Sequence, residues 1–246
     1  MLEGLNLRRR QCFMAAGIAL IATNPWIAPA QAVPRRIILL RHGEKANAYV
    51  LCSLGQQRAI ALRDNYLGSN AANKLLLDEQ PPAAFLAITP HTQETTTPSA
   101  NSWGMPIHTY AVVPTGSRKK HRSADITRAT QTAAVDVLQN PAWDGRTVVM
   151  TWEHKHIANE RDERQSPDEK VTLHQLLNLD QVAGVPANWP DSNYDYFWVI
   201  DYDDPSSAIP TTFQMVKQSY AAPFNTLPHN IWDAPLPSTF PNSCLR

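Results

Sequence analysis

Three short stretches of this sequence set imidazole or guanidinium groups where an apolar run stops or a helix starts. Arg41-His42-Gly43-Glu44 follows the run 36–40, Glu153-His154-Lys155-His156 follows the run 147–152, and Arg128 stands shortly after Asp125, where a helical pattern begins. In an α/β sheet the carboxyl ends of the strands form the binding edge, so Arg41, His42 and His154 are expected there together, with Arg128 beside them. Two arginines with forked donors, two histidines and exposed backbone N–H groups suit a compact dianion. His154 and His156 also invite a different chemistry. Two residues apart on an extended strand, they point to one side, as two ligands of a metal ion would, although no third ligand stands at a convincing spacing.

Placing these groups requires a particular set of elements. Residues 36–40, 84–88 and 147–152 are apolar with little polar alternation, as in strands buried on both faces. Ser53, with Gln56 three residues on, fits a capping box and predicts a helix whose inner face carries Ala59, Leu62 and Tyr66. Asp125 is expected to cap a second helix that buries Ile126, Ala129, Ala133 and Val137. Residues 173–179 read as a short helix and 194–202 as a strand, while 211–220 fit either. The aromatic residues Trp189, Tyr194, Tyr196, Phe197 and Trp198 read as packing. Residues 91–121 break the rhythm. Their first part, 91–102, is rich in Thr, Pro and Ser, 107–113 is a strand candidate, and Arg118-Lys119-Lys120-His121-Arg122 forms a basic cluster. They read as an insertion over one end of the sheet, and the cluster suits either a multiply charged substrate or a solvated loop. Strands alternating with helices predict an α/β sandwich.

Arg41-His42-Gly43-Glu44 after a buried strand resembles the first motif of the histidine phosphatase superfamily, whose fold is phosphoglycerate-mutase-like. Leu51-Cys52-Ser53-Leu54-Gly55-Gln56-Gln57-Arg58-Ala59 is similar to the second motif, which opens the first helix. Asp125-Ile126-Thr127-Arg128-Ala129-Thr130-Gln131-Thr132-Ala133 is similar to the third, which supplies a second pocket arginine. Residues 148–154 resemble the late strand, whose end carries the second pocket histidine. The resemblance spans most of residues 33–246. It implies a three-layer α/β/α sandwich with a central, mostly parallel sheet, and a histidine acid phosphatase-type phosphoric monoester hydrolase. His42 would be the nucleophile that becomes phosphohistidine, with Arg41, Gly43 and Arg128 binding the phosphoryl group. His154 would stabilise the transition state. No metal or other cofactor is implied, and the substrate would be a small phosphorylated molecule.

The general acid is where the resemblance falls short. Many members carry a glutamate between the second arginine and the late strand, but here only Asp136 and Asp144 lie in that interval. Glu153 is the first candidate because of its neighbours, although strand alternation turns it away from His154 unless the chain turns there. Glu94 and Glu160 are alternatives, and Glu44 is expected to pair with a nearby cation. Without a working acid, the same fold gives a non-catalytic protein that binds phosphate or a phospholigand. A metal-dependent hydrolase using His154 and His156 is a third reading.

A chain of 246 residues, 43% apolar and 18% charged, is sized and composed for one globular domain. Its formal net charge of zero leaves no electrostatic footprint for nucleic acid. Arg8-Arg9-Arg10, the apolar stretch 12–22 and Ala30-Gln31-Ala32 predict a signal peptide over 1–32, twin-arginine-like or general secretory. An uncleaved anchor is the alternative, but the apolar stretch is short for a membrane span. The mature chain would be periplasmic or secreted, without stable membrane insertion. Cys52 and Cys244 then remain as an even pair in an oxidising compartment, joined as a disulfide or left as two free thiols.

Overall fold

Strand β1 (Arg36–Arg41) runs through the middle of a six-stranded sheet. The computed structural model describes residues 32–113, 119–204, 206–238 and 240–245, without the side chains of 119–122. Apart from Ala32, the expected leader lies outside the described residues, as do Arg118 and the side chains of the rest of the basic cluster. Strand β4 (Thr147–Trp152) pairs with β1 in parallel, from Arg36 opposite Thr147 to Arg41 opposite Trp152. Strands β2 (Ala84–Ala87) and β3 (Ile107–Thr109) continue the parallel part beyond β4. On the other side of β1, strand β5 (Tyr196–Asp201) is antiparallel to it, and β6 (Thr212–Lys217) is antiparallel to β5. The order β3-β2-β4-β1-β5-β6 makes a mixed sheet of the α/β class.

Successive strand residues face opposite ways, and they feed two separate cores. Ile38, Leu40, Phe85 and Val149 pack with Leu62 of helix α1 (Ser53–Leu62) and Ala100 of α2 (Pro90–Ser102). Ile37, Leu39, Val148 and Met150 pack with Ile126, Ala133 and Val137 of α3 (Lys119–Gln139). After β4 come the short helices α4 (His154–Ile157), α5 (Glu160–Gln165) and α6 (Leu173–Leu176), and Leu173 joins that second core. Each fully buried Ile or Leu of β1 contributes about 1.5–3 kcal/mol relative to exposure. No described helix is long and apolar enough to cross a membrane.

Several local expectations are corrected. Ser53 is the first residue of α1, not its cap; Cys52 holds the cap position without a side-chain bond. The entry is fixed instead by the Cys52 N–H donating to the Glu44 carbonyl at 2.9 Å and by the Cys52–Cys244 disulfide, whose Cα atoms are 5.5 Å apart. Asp125 caps nothing, because α3 already runs from Lys119 through residues that favour helix.

The first part of 91–121 is helix α2, laid against β2 and α1, and only 107–109 is strand. Thr89 caps α2 in a reciprocal box with Thr92, and Pro90 occupies the first turn. Its buried stripe is Thr92, Thr95, Thr96 and Ser99, a helical spacing made of hydroxyl residues. The three threonines can be buried because their hydroxyls are satisfied locally: Thr92, Thr95 and Thr96 donate to the carbonyls of Thr89, His91 and Thr92 at 2.9, 2.8 and 2.7 Å, whereas Ser99 Oγ has no partner among the described residues.

Candidate active site

The last register pair of the β1–β4 ladder is Arg41 with Trp152, so His42 and Glu153 leave the sheet side by side. The His42 N–H still donates to the Trp152 carbonyl at 3.2 Å. The loop after His42 is pressed onto α1 through two facing glycines. A Cβ on Gly55 would lie 2.3 Å from the Glu44 carbonyl oxygen, and one on Gly43 would lie 3.0 Å from that of Gly55. Glu44 accepts three guanidinium hydrogen bonds from Arg58 at 2.6–3.0 Å, with both side chains buried. The Gly43 N–H donates to Thr95 Oγ1 at 2.8 Å, which ties the loop to α2 as well.

His42 is 1% exposed. Its Nδ1 lies 2.7 Å from the Gly43 carbonyl, which can only accept, so the proton sits on Nδ1 and the lone pair on Nε2. That Nε2 is buried without a hydrogen-bond partner among the described residues, 3.5 Å from Glu153 Oε2. Burial, and next the Lys45 ammonium, hold the imidazole well below its ordinary range, so it is neutral. Glu153 takes a hydrogen bond from the Thr89 hydroxyl at 2.8 Å and pairs with Lys45 Nζ at 3.0 Å. Burial works to raise its carboxyl, but the Lys45 ammonium and the Thr89 hydroxyl outweigh that and keep it well below the usual carboxylate range. The His91 ring completes this wall, 5.9 Å from that of His42.

His154 opens α4 with its ring 5.9 Å from that of His42. Its Nε2 donates to Asp191 Oδ1 at 2.5 Å, which leaves the lone pair on Nδ1, buried and without a partner among the described residues. Burial, then Arg41, push this imidazole down to about 4 against the pull of Asp191, so it is neutral at pH 7. The His154 hydrogen bond, with Lys155 and Arg41, holds Asp191 below its usual range. Arg41 spends Nη1 on the carbonyls of Pro190, Asp191 and Asn193 at 2.8–3.2 Å, and its guanidinium lies 3.8 Å over the Tyr194 ring. Its Nε is buried and has no partner among the described residues.

Two buried neutral histidines make stability depend on pH. The unfolded chain takes up their protons below about pH 6.5 and the folded chain does not, so stability is full above that pH and falls as pH drops toward 4. The expected slope is about 1.4 kcal/mol per pH unit for each histidine. Urea midpoints measured between about pH 7.5 and 4.5 check this, and a flat profile contradicts it.

The structure gathers Arg41, His42, Gly43, Glu153 and His154, but places Arg128 elsewhere. Arg128 is two residues, or about 200°, around α3 from the inward-facing Ile126. Its side chain is 72% exposed and paired with Asp125 at 2.8 Å. It lines an open cleft of about 590 Å³ with Thr127, Gln131, Lys155, His156 and Asp162, and Arg41, His42 and Glu153 are not in that lining. His154 and His156 do not share a strand face, because the chain turns into α4 at Glu153; His156 meets Thr127 instead, at 3.4 Å. The same turn brings Glu153 back to His42. Glu94 binds the Leu51 N–H, and Glu160 pairs with Arg164.

Lys45, Thr89, His91 and Thr95 are site residues that the sequence reading missed. Lys45 directly follows the motif. The other three belong to α2 and its cap, whose signal was the helical spacing of hydroxyls after Thr89-Pro90.

No family model matches the chain, and no curated protein does. Among solved structures it is similar to "Mycobacterial hydrolase 1", at 15% identity and a TM-score of 0.40, over 76% of this chain and 100% of that one. At that level the likeness adds nothing to what the site itself says.

Proposed function

We propose that this chain is a phosphomonoester hydrolase on a phosphoglycerate-mutase-like, three-layer fold, working through a phosphohistidine on His42. The observation that carries the proposal is the His42 imidazole. It is buried and neutral, its Nδ1–H is tied to a carbonyl, and its Nε2 lone pair is unengaged. Lys45 takes the part that the resemblance gives to Arg128: with Arg41 it supplies the positive charge that offsets a phosphoryl dianion. His154 gains a proton when the dianion binds and then donates from Nδ1. The Cys52–Cys244 disulfide favours an oxidising compartment, in line with export to the periplasm or beyond.

The transfer runs in two steps. Nε2 forms a bond to phosphorus as the bond to the leaving oxygen breaks. Glu153, ionised in the free protein, first takes the proton of a monoanionic phosphate ester and then passes it to that leaving oxygen. In the second step Glu153 accepts a proton from water, which attacks phosphorus, and His42 departs as the neutral imidazole. The test is to react the protein with a slowly hydrolysed aryl phosphate, quench in base and map the peptides. An acid-labile phosphoryl group on the peptide bearing His42 is expected; turnover without it would overturn the proposal. The ionised Glu153 favours one other reading, a non-catalytic phosphate-binding protein, which predicts phosphate binding with no turnover.

Arg128 gives a sharp check on the pocket. Arg128→Ala changes kcat on p-nitrophenyl phosphate by no more than about twofold, whereas Arg41→Ala lowers it by about 10²-fold or more. Equal losses would put Arg128 back among the phosphate-binding groups.

A further inference from the structure

We infer that His42, Glu153 and His154 form a binding site for zinc that shuts the pocket against phosphate. One ligand atom from each lies within 4.8 Å of the others. The imidazole nitrogens left to bind zinc are His42 Nε2 and His154 Nδ1, which carry lone pairs, are buried and have no hydrogen-bond partner among the described residues. Each ring is held from behind through its other nitrogen, His42 by the Gly43 carbonyl and His154 by the Asp191 carboxylate. An acceptor behind the ring is what fixes the tautomer and aim of a metal-binding histidine. Two imidazoles and one carboxylate, with a coordination position left open, suit zinc.

The distances are nearly right. Ligands at about 2.0 Å from a tetrahedral zinc stand about 3.3 Å from one another. His42 and Glu153 are at 3.5 Å already, and a ligand atom of His154 stands within 4.8 Å of both residues. Lys45 opposes the ion from its place on Glu153 Oε2. Its side chain is 22% exposed and can withdraw to water, while Thr89 keeps hold of Oε1. Lys45 therefore weakens zinc binding, in contrast to its proposed effect on phosphate. Zinc takes the lone pair that would attack phosphorus, so the two ligands exclude each other. The block on phosphoryl transfer rests on the function proposed above; the binding of zinc does not.

Calorimetric titration of the full, chelator-treated chain with zinc chloride tests this. One zinc per chain is expected. The affinity falls at least about 100-fold in His42→Ala and in His154→Ala, and is kept in His156→Ala. Lys45→Met tightens binding about tenfold. Saturating inorganic phosphate weakens zinc binding in the wild type, and added zinc suppresses turnover until EDTA restores it. Circular dichroism of each variant separates loss of the site from loss of the fold. Absence of zinc binding in the wild type, or unchanged binding in both folded histidine variants, overturns the site. Zinc that raises turnover overturns the inhibition. Zinc binding by a chain with no turnover supports the site and counts only against the proposed function.

Discussion

His42→Ala lowers kcat on p-nitrophenyl phosphate by at least about 10⁴-fold, a rise of about 5–6 kcal/mol in the barrier, with the fold retained. The loss is large because, in the proposed mechanism, His42 is the one group that bonds to phosphorus. The fold survives because removing a buried, neutral imidazole leaves behind one carbonyl, that of Gly43. A companion variant separates nucleophile from acid. Glu153→Gln costs about tenfold on p-nitrophenyl phosphate, whose phenolate departs without a proton, and about 10³-fold on an alkyl phosphate, whose alkoxide does not. A His42→Ala protein as fast as wild type would remove the catalytic reading. Equal Glu153→Gln losses on the two substrates would remove the acid.

Loss of the disulfide has the largest expected effect on stability. Closing a loop across 192 residues of sequence restricts the unfolded chain by about 5 kcal/mol in the chain-entropy model. In a domain of this size that corresponds to a fall in Tm of about 10–20 °C for Cys52→Ala/Cys244→Ala. The bond also bears on the site. Cys244 anchors the tail whose Leu245 N–H donates to the Lys45 carbonyl at 2.7 Å, and Phe240 of that tail stacks on Tyr194, under Arg41. The cysteine-free protein is therefore expected to lose activity even at temperatures where it stays folded. A Tm shift below about 3 °C would contradict the first claim, and undiminished turnover would contradict the second.

The sheet was legible because strands buried on both faces must be apolar at every position. Residues 36–40 and 147–152 announced themselves that way. Helix α2 was not, because its inward stripe of Thr92, Thr95, Thr96 and Ser99 carries no hydrophobic signal; burial of the three threonines depends on hydroxyls closing back onto local carbonyls. That one omission hid Thr89, which holds Glu153, and Thr95, which holds Gly43. Arg128 was misplaced for a related reason. Locating the helix start at Asp125 put it in a first turn, while the actual start at Lys119 puts it mid-helix on the outer face. Glu153 depended on where the chain turns after β4, which local composition does not encode.

The ladder between β1 and β4 acts as a ruler for the chemistry. His42 and Glu153 are each the next residue after a hydrogen-bonded pair deep in the core, and a slip of one residue would reverse the face of every side chain in either strand. The distance between His42 and Glu153 is therefore inherited from the packing of Leu39, Leu40, Val149 and Met150. Loops around the site can diverge while the spacing of His42 and Glu153 stays where the core sets it. Conversely, drift in that spacing requires a substitution in the interior, where it registers first as lost stability and only then as lost rate.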